Sequence, residues 1–394
     1  MPIFILLTIT LILTFNPNAY GSSIFGIDGL GEPESTYSAR AEGMGGAGMA
    51  IADDAAALAI NPAGLSQIKG FRLFLPFKYE KVKVNSQSSA VVPLISVISP
   101  FPQKVTLGFG IIQRYDFNLE TGDNSFTLEE TEIKRRVERK GSINAYSLAA
   151  SVAFRDRVSL GLNLNKLIGS SQETWITDFD DAEYIDAEDI IKVYYSSGLN
   201  LELSTLIRIR DDLNLATVIE LPSTLKARTK VKSRFESEDK LEDEAPYSEE
   251  AKIDMPISYG LGAAYRPGGK RLTMALDFDT TLWPRVKIDG ERNPYLMDTG
   301  TLYLGAEYEL GGGGRHSFQG SKLRLGYQTG TWYHTYKKTQ TVKTRFITAG
   351  AGFLFRSGQV DFSVGFGRRA DESKEIKEDV IRFLVSFNLI PAEE

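Results

Sequence analysis

Apolar and polar residues alternate with a period of two through much of the chain after residue 70. In 158–168, leucines at every second position from Leu160 to Leu164 alternate with Ser, Gly and Asn. The same pattern runs through 272–279 and through the closing segment 381–389. One apolar and one polar face over about ten residues are typical of a strand that crosses a membrane within a β-barrel. A soluble β-sandwich has the same period, so the alternation alone leaves both fold classes open.

The connections between these segments distinguish the two classes, because short and long connections take turns along the chain. Tight turns are expected at 99–103, 155–157, 210–212, 266–270, 311–320 and 356–359. Long polar loops are expected at 118–140, 170–192, 222–254, 283–298, 329–343 and 368–378. Outer-membrane barrels have short periplasmic turns opposite longer external loops, whereas a sandwich has no reason to sort its loops in this way. The pattern predicts about fourteen strands, an even number that puts both chain ends on the periplasmic side.

Composition excludes several other classes of protein. The chain has 394 residues, no cysteine, a formal net charge of −6 and a mean hydropathy of −0.17. Without cysteine there is no disulfide, no thiol chemistry and no Cys-based metal site. After the leader, no apolar run reaches about eighteen residues, which excludes a membrane-spanning helix. The net negative charge argues against nucleic acid as a partner.

Four segments are expected in chain order. Residues 1–21 contain an apolar core at 3–15, which has the length typical of a secretory signal peptide, and small residues before an expected cleavage at Ser22. A buried first strand or a membrane anchor is the alternative for this leader. The other expected segments are an N-terminal plug at 22–70, the barrel at 71–390 and a tail at 391–394.

The plug, residues 22–70, is expected to fill the barrel lumen. About fourteen strands enclose a lumen too wide for wall side chains to fill, because about eight strands already make a filled core. Within the plug, 38–70 is rich in glycine and alanine, and its glycines permit positive φ angles and close backbone approach in a confined space. Asp53 or Asp54 is expected to cap a short helix, and Asn61-Pro62-Ala63-Gly64 is expected to end it in a turn.

Three short motifs of the plug resemble the N-terminal hatch of FadL/TodX-type outer-membrane proteins. They are Ala39-Arg40-Ala41 leading to Gly43-Met44-Gly45-Gly46-Ala47, then Ala52-Asp53-Asp54-Ala55, then Asn61-Pro62-Ala63-Gly64-Leu65. The barrel segments similar to strands of that family are 144–150, 160–165, 255–262 and 323–327. The plug motifs also resemble those of PorV-like proteins of a bacterial secretion system. One departure is the chain end, because family members usually close on an aromatic residue and this chain continues past Phe387 to Glu394.

The FadL/TodX resemblance implies a non-enzymatic channel of the outer membrane for passive uptake of hydrophobic compounds such as long-chain fatty acids or aromatic hydrocarbons. Ligand would be captured among the external loops, enter an apolar pocket, and leave through a wall defect after the hatch shifts. No cofactor, metal or energy source is implied. The implied partners are outer-membrane lipids and lipopolysaccharide, hydrophobic small molecules and the barrel assembly machinery.

The residues to which the resemblance assigns hatch structure and gating are Arg40, Gly43, Gly45, Gly46, Asp53, Asp54, Asn61, Pro62 and Gly64. Arg40 is expected to pair with Asp53 or Asp54. The motifs identify no ligand-binding residue.

The PorV resemblance implies a different class of function. Such a barrel is a scaffold or secretion factor that holds secreted protein cargo and transports nothing. A continuous apolar pocket would favour transport, whereas a polar or blocked lumen with a protein-sized external platform would favour the scaffold.

The sequence contains no catalytic arrangement. The two histidines, His316 and His334, fall in different predicted connections, so the Ser-His pair of an outer-membrane lipase is not expected. Seven acidic residues between Asp178 and Asp189 lack the Gly and terminal Glu of an EF-hand loop, and solvated charge is favoured over a calcium site. The basic residues of 134–140 could contact lipopolysaccharide phosphates at the outer rim, and ordinary solvation is an equal alternative.

Aromatic residues near predicted strand ends are expected to form the two interface girdles of the barrel, with a ligand-stacking row as the alternative. They are Tyr146, Phe154, Trp175, Tyr194, Tyr195, Tyr265, Trp283, Tyr308, Trp332 and Tyr333. The aromatic residues of the long loops offer apolar patches where ligand capture could begin. These are Trp175, Phe179, Tyr184, Trp332, Tyr333 and Tyr336.

Overall fold

Fourteen antiparallel strands form one closed sheet. The structure, a computed structural model, describes residues 23–390 except 28, 84–86, 102–103, 123, 129–130, 156, 181–185, 238–239, 244–246, 269–270, 311–319, 336–338 and 356. The strands are β1 (Arg72–Val82), β2 (Gln87–Val91 and Leu94–Pro100), β3 (Val105–Asp116), β4 (Thr131–Phe154), β5 (Val158–Phe179), β6 (Ala187–Arg210), β7 (Leu213–Glu220 and Ser223–Ser237), β8 (Tyr247–Met255 and Ser258–Tyr265), β9 (Leu272–Thr281), β10 (Thr299–Glu309), β11 (Lys322–Thr331), β12 (Val342–Phe355), β13 (Gly358–Asp371) and β14 (Lys377–Leu389). The predicted signal peptide 1–21 and the predicted tail 391–394 lie outside the described residues.

The sheet closes because β1 pairs with β14, from Leu73 opposite Leu389 to Val82 opposite Val380. The start of β1 and the end of β14 lie at the end of the barrel where tight turns join neighbouring strands. The predicted fold class, an antiparallel β-barrel of about fourteen strands, is confirmed. Among the described residues, no helix has both the length and the apolar character needed to cross a membrane.

Outward and inward side chains of the strands differ as the alternation predicts. Outward-facing Leu160, Leu325 and Ile347 keep 45%, 67% and 66% of their surface exposed. Inward-facing Asn163 and Asn165 are fully buried. The exposed apolar side chains supply the band that a bilayer requires around a barrel, and the buried polar side chains face the lumen.

Three of the predicted long polar loops, 118–140, 170–192 and 222–254, are largely strand. β4, β5 and β6 are 24, 22 and 24 residues long, about twice the length that a tilted strand needs to cross a membrane. The loop prediction is wrong because the alternation inverts beyond the bilayer. There Val137 and Leu225 are buried on the inward face, while Lys140 and Arg228 are exposed on the outward face. The polar stretches therefore continue the wall outward.

At two places the hydrogen-bond ladder of the wall is broken where both strands contain a proline. The ladder between β7 and β8 is broken at Pro222 and Pro256. The ladder between β1 and β2 is broken at 75–77 and 92–95, and each of these segments contains a proline. Proline has no amide hydrogen to donate, so the wall lacks cross-strand bonds at both breaks.

The described residues of 23–68 pack against inward-facing side chains of the strands. The elements of the plug are a 3-10 helix (Ile24–Gly26), a two-residue strand (Glu32–Pro33) paired with β3, the helices α1 (Ala39–Gly43) and α2 (Ala57–Ile60), and a second 3-10 helix (Pro62–Gln67). Helix α1 contacts β11 to β14, whereas Pro62–Gln67 contacts β3 to β6 on the opposite side of the lumen. The plug therefore bridges the early and late strands of the wall.

The largest group of buried apolar side chains lies in the lumen, where plug residues such as Leu58 and Leu65 pack with wall residues such as Ile98 and Ile112. Short elements extend the barrel at the end opposite the tight turns. They are strands at Leu119–Glu120, Asn124–Leu128, Lys240–Asp243, Lys287–Ile288 and Glu291–Arg292, and a 3-10 helix at Trp283–Arg285.

Candidate functional site

Polar side chains on the inner wall bind the backbone of the plug. Asp277 of β9 accepts hydrogen bonds from the amides of Gly48 (2.6 Å) and Met49 (2.7 Å). Thr348 of β12 accepts one from the Gly45 amide at 2.9 Å. A buried amide without a partner is costly, so these contacts give a physical reason for the polar inward face of the strands.

Arg40, in the buried helix α1, lies at the centre of a group of carboxylates. Its guanidinium contacts Asp53, lies 3.6 Å from Asp54 and lies 3.0 Å from Glu307 of β10. The Arg40 side chain is only 9% exposed, so its pairs with Asp54 and Glu307 are largely removed from water, whereas Asp53 is 38% exposed. The structure thus brings together three residues that the sequence singles out, and it adds Glu307, which the sequence analysis misses.

Glu307 connects Arg40 to a second arginine on the wall. Arg324 of β11 donates from Nε to Glu307 at 2.7 Å and lies 2.7 Å from Asp361 of β13. The alternation in β10 and β11 indicates that Glu307 and Arg324 face inward, and this is the only signal of them in the sequence. No spacing rule links them to Arg40, because they are more than two hundred residues away along the chain.

Two of the predicted gating glycines have backbone conformations that side chains disfavour. Gly45 has a φ of +70° and Gly46 a φ of +93°. A Cβ atom on Gly45 would lie 2.5 Å from the backbone nitrogen of Tyr327, and one on Gly46 would overlap the ring of Tyr303. The turn after α1 is therefore pressed against β10 and β11, where a larger residue does not fit.

The remaining predicted gating residues lie in helical turns of the plug. Gly43 is the last residue of α1. Asn61 caps the second 3-10 helix by accepting a hydrogen bond from the Ala63 amide at 3.1 Å. Pro62 is the first residue of that helix and Gly64 its third. These residues set the path of the plug at the tight-turn end of the barrel.

Wall side chains also hold the first part of the plug, residues 23–31. Arg139 of β4 donates to three plug carbonyl oxygens, and Trp332 and Tyr333 each donate to one. Glu378 of β14 accepts hydrogen bonds from a plug hydroxyl at 2.7 Å and a plug amide at 2.8 Å. The plug is thus bound to the wall along its whole described length and not only at Arg40.

A second buried ion-pair network joins the plug to β1, β13 and β14. Arg369 contacts Glu32 of the plug and lies 2.9 Å from Glu80. Arg382 donates to Glu80 at 2.6 Å. Burial raises the pKa of Glu32 to about 7, against the opposing effect of Arg369. This network is absent from the sequence analysis, because its members are distributed over four separate segments.

A cavity of about 310 Å³ lies between the plug and the wall. Its volume is within the range of small-molecule sites. The aromatic residues that line it are Tyr37, Tyr115, Tyr259, Trp283, Tyr303, Trp332, Tyr333 and Phe346. The acidic residues that line it include Glu34, Glu202, Glu220 and Asp279. The cavity is therefore neither purely apolar nor empty of charge.

Four of the predicted girdle residues lie inside the barrel instead. Tyr195, Trp283, Trp332 and Tyr333 are at most 7% exposed. The girdle prediction is wrong for Trp283, Trp332 and Tyr333 because they lie beyond their strand ends, where alternation no longer assigns a face. It is wrong for Tyr195 because this residue of β6 is on the inward face. The predicted girdle residues that are exposed are Tyr146, Phe154, Tyr194, Tyr265 and Tyr308.

Other predicted groups are also placed differently. Arg139, one of the basic residues assigned to the outer rim, faces the lumen and is buried. His334 is buried, with Nδ1 2.9 Å from the carbonyl oxygen of Thr335.

The singled-out residues outside the described part of the chain are Asp181, Glu183, Tyr184, His316 and Tyr336. Within the described part, no three His, Asp or Glu residues are grouped so that they could hold a metal ion.

The docking of the plug is expected to strengthen as pH falls. Burial raises the pKa of Asp54 to about 6, and nearby Arg40 only partly opposes this. A raised carboxyl pKa contributes stability that is fully present below the ordinary value and is lost as pH rises through about 6. Hydrogen exchange at 53–57, corrected for intrinsic rates, should therefore slow by about tenfold or more between about pH 8 and about pH 5.

Asp54→Asn tests the origin of this pH dependence, because asparagine mimics the protonated carboxyl. We expect the variant to be protected at about pH 8 as the natural chain is at about pH 5. Asp254→Asn, at an exposed position on the outward face of β8, should leave the profile unchanged. Protection of 53–57 that weakens on acidification would contradict the prediction.

Comparison with known proteins gives one family and several similar folds. The BamG family model matches residues 2–391. No curated protein sequence matches the chain. The fold is similar to that of the P. putida toluene transporter TodX, with a TM-score of 0.63, 13% identity, and coverage of 91% of this chain and 100% of that one.

Two further solved structures share the fold. The CymD monoaromatic hydrocarbon channel has a TM-score of 0.62 at 16% identity, and the match covers 92% of this chain and 98% of the CymD chain. The Ralstonia pickettii toluene transporter TbuX has a TM-score of 0.61 at 12% identity and covers 91% and 99%. The predicted resemblance to FadL/TodX-type barrels is confirmed at the level of fold. All three proteins are named as channels or transporters.

Proposed function

The chain belongs to the BamG family, and we propose that it serves in the outer membrane as a channel for passive uptake of small hydrophobic compounds. The observation that carries this proposal is the cavity of about 310 Å³ between plug and wall, with aromatic side chains on several sides. Trp283 and Tyr333 have ring centroids 4.4 Å apart, and Tyr115 meets Trp283 edge-on at 6.3 Å. Aromatic rings in such arrangements favour a further ring.

Aromatic hydrocarbons match this cavity better than long-chain fatty acids do. A dry cavity of about 150 Å³ suffices for benzene in a protein core, so the available volume exceeds what one ring requires. The acidic residues of the lining would repel a fatty-acid carboxylate. TodX and TbuX are described as toluene transporters, and the shared fold supports a similar ligand class for this chain.

We assign the gating role to the plug residues that fix its path. Arg40, with Asp53 and Asp54, holds α1 against the wall. Gly45 and Gly46 let the following turn approach β10 and β11. Displacement of this part of the plug would open the cavity toward the tight-turn end. Gly43, Asn61, Pro62 and Gly64 shape the adjoining turns and are assigned the same supporting role.

A lateral exit is proposed at the break between β7 and β8. Glu220 and Ser223 flank the break on β7, and Met255 and Pro256 lie at it on β8. All four residues line the cavity, whereas no residue of 75–77 or 92–95, the break between β1 and β2, does so. Separation of β7 from β8 at this point requires no ladder hydrogen bond to break.

The chain offers a direct test, because it contains no cysteine and Ser223 lies opposite Met255 across the break. Labelled toluene uptake should be measured in a Gram-negative host that lacks its own hydrocarbon and fatty-acid transporters. We expect oxidation of Ser223→Cys/Met255→Cys to lower uptake about tenfold and a reductant to restore it, since closure of a path limits transport. The matched pair Ala227→Cys/Ala251→Cys, farther along the same strands, should have no effect.

The outcomes of this experiment separate the parts of the proposal. Uptake that the oxidised pair leaves unchanged would overturn the exit at β7 and β8 and leave the channel in place. Correct insertion, shown by protease-sensitive external loops, without uptake of toluene or oleate would overturn the channel.

A scaffold that binds protein partners is the second candidate, and the long strands favour it. β4 to β6 continue far beyond the length needed to cross a membrane, and with β7 and β8 they form a projecting sheet. Two buried ion-pair networks and the plug also obstruct the lumen. The BamG family name points to the barrel assembly machinery as a partner, and secreted cargo is the alternative partner.

We also propose that the outer wall contacts lipopolysaccharide. Lys192 lies opposite Lys230 on the outward face of β6 and β7, and Lys226 lies opposite Lys252 on β7 and β8. Like charges directly opposite each other destabilise a sheet unless an anion shares them. The lipopolysaccharide phosphates of the outer leaflet would supply that anion.

A further inference from the structure

We propose that the lumen cavity prefers aromatic molecules that carry a neutral hydrogen-bond donor, such as phenols and aromatic amines, over plain hydrocarbons and over carboxylates. The inference rests on the proposed channel function and names its substrate class. Two independent features of the cavity support it, an unpartnered carboxylate oxygen and a surplus of negative charge.

Glu202 supplies the hydrogen-bond acceptor. It is on β6, faces the lumen, lines the cavity and is 4% exposed. Its Oε1 atom has no hydrogen-bond partner among the described residues. A buried acceptor without a donor is costly, and the cost is removed when a ligand donates to it.

The neighbour of Glu202 makes its position more costly. Glu220 of β7 lies directly opposite Glu202 in the ladder. Like charges in facing positions destabilise a sheet. The nearby cation, Arg114 of β3, lies 3.0 Å from Glu220 and pairs with that carboxylate. Glu202 therefore keeps an acceptor that the protein itself does not satisfy.

The basic residues at the cavity are already engaged by carboxylates. Arg114 pairs with Glu220, and Arg369 and Arg382 are held by Glu32 and Glu80. Each of these arginines keeps one guanidinium nitrogen without a hydrogen-bond partner among the described residues. Acidic side chains nevertheless outnumber basic ones in the lining, with Glu32, Glu34, Glu202, Glu220 and Asp279 against Arg114, Arg369 and Arg382. Benzoate and fatty acids would add a further negative charge to this surplus.

The aromatic part of the ligand is matched by the lining. Tyr115, Trp283 and Tyr333 form a continuous aromatic surface with centroid separations of 6.3 Å and 4.4 Å. The Tyr333 hydroxyl donates to the Gly31 carbonyl at 2.7 Å, so its ring is fixed in place. A ligand ring on this surface and a donor directed at Glu202 would satisfy both halves of the cavity.

The test is equilibrium binding of four matched ligands, phenol, aniline, toluene and benzoate, to the purified full-length chain in detergent by calorimetry. We expect phenol and aniline to bind about tenfold more tightly than toluene, the usual gain from one satisfied buried hydrogen bond, and benzoate to bind most weakly. Glu202→Leu should abolish the advantage of phenol over toluene without weakening toluene. Glu202→Gln, which keeps the shape and an acceptor oxygen, should retain part of that advantage and improve benzoate binding.

A control variant and a folding check accompany the binding measurements. Glu249→Leu, an exposed position on β8, should leave all four affinities unchanged. Heat-modifiable migration on a gel checks that each variant is a folded barrel. Equal binding of phenol and toluene by the natural chain would overturn this inference and leave the channel proposal intact. If none of the four ligands binds, the channel proposal fails as well.

Discussion

Arg40→Ala is expected to release the plug from the barrel. The substitution removes the guanidinium that Asp53, Asp54 and Glu307 share. It leaves the largely buried Asp54 without that cation, whereas Asp53 keeps Arg266, and Glu307 keeps Arg324 and Lys322. Breaking a buried ion pair by removing one partner typically costs about 3 to 5 kcal/mol. We therefore expect 38–70 to become protease-sensitive in the inserted protein and single-channel conductance in a planar bilayer to rise.

The matched control for this substitution is Arg228→Ala. Arg228 pairs with Glu250 on the outer wall, and both side chains are more than half exposed. Exposed ion pairs contribute about 0 to 1 kcal/mol, so this variant should behave like the natural chain. Arg40→Lys should be intermediate, because one ammonium cannot reach the three carboxylates as the planar guanidinium does. Unchanged protease protection, conductance and uptake in Arg40→Ala would refute the role of Arg40 in holding the plug.

Gly46→Val is expected to prevent the plug from docking in its observed position. Gly46 has a φ of +93°, and an added Cβ would overlap the ring of Tyr303. The Tyr303 ring has little room to move, since its hydroxyl donates to Asp279 at 2.7 Å. Overpacking typically costs about 1 to 3 kcal/mol, and the left-handed backbone adds to that for a β-branched residue.

The substitution should loosen the plug and leave the strands of the wall intact. We expect hydrogen exchange of 43–49 to accelerate by about tenfold or more while the strand amides stay protected. Gly48→Ala is the control two residues along the same segment, because its Cβ would lie no closer than 3.6 Å to Ile60. Equal protection of the plug in Gly46→Val and in the natural chain would show that the turn is not held as the structure places it.

The sequence predicts the wall of this protein better than its outer end. Within the bilayer, apolar residues such as Leu162 must face lipid, so the alternation and the strand count follow from the environment. Beyond the bilayer the outward face is no longer in contact with lipid. There Val137 faces inward and Lys140 faces outward. The period of two continues in such a stretch, but the apolar residues are on the inward face and the polar residues on the outward face. A rule that requires outward apolar residues therefore assigns the stretch to a loop.

The candidate site is harder to predict for a different reason. Motifs identify Arg40, Asp53 and Asp54 because these residues are close in the chain. Glu307 and Arg324 join them only because the sheet closes, and closure is not encoded in any local pattern. Glu202 likewise resembles any inward polar residue in the sequence, and its unmet acceptor appears only when Glu220 and Arg114 are placed around it.

The path of the plug has a consequence for how the protein is made. Its helix α1 contacts the last four strands, and Pro62–Gln67 contacts β3 to β6. The plug precedes the barrel in the chain, so it contacts both strands that are synthesised soon after it and strands that are synthesised last. The inner faces of those strands carry buried polar groups whose partners are plug amides and carbonyls. A wall that closed before the plug had entered would leave these groups bonded to water, which the plug would then have to displace. We expect the plug to be in place before the seam between β1 and β14 is sealed, so that the wall closes around a filled interior.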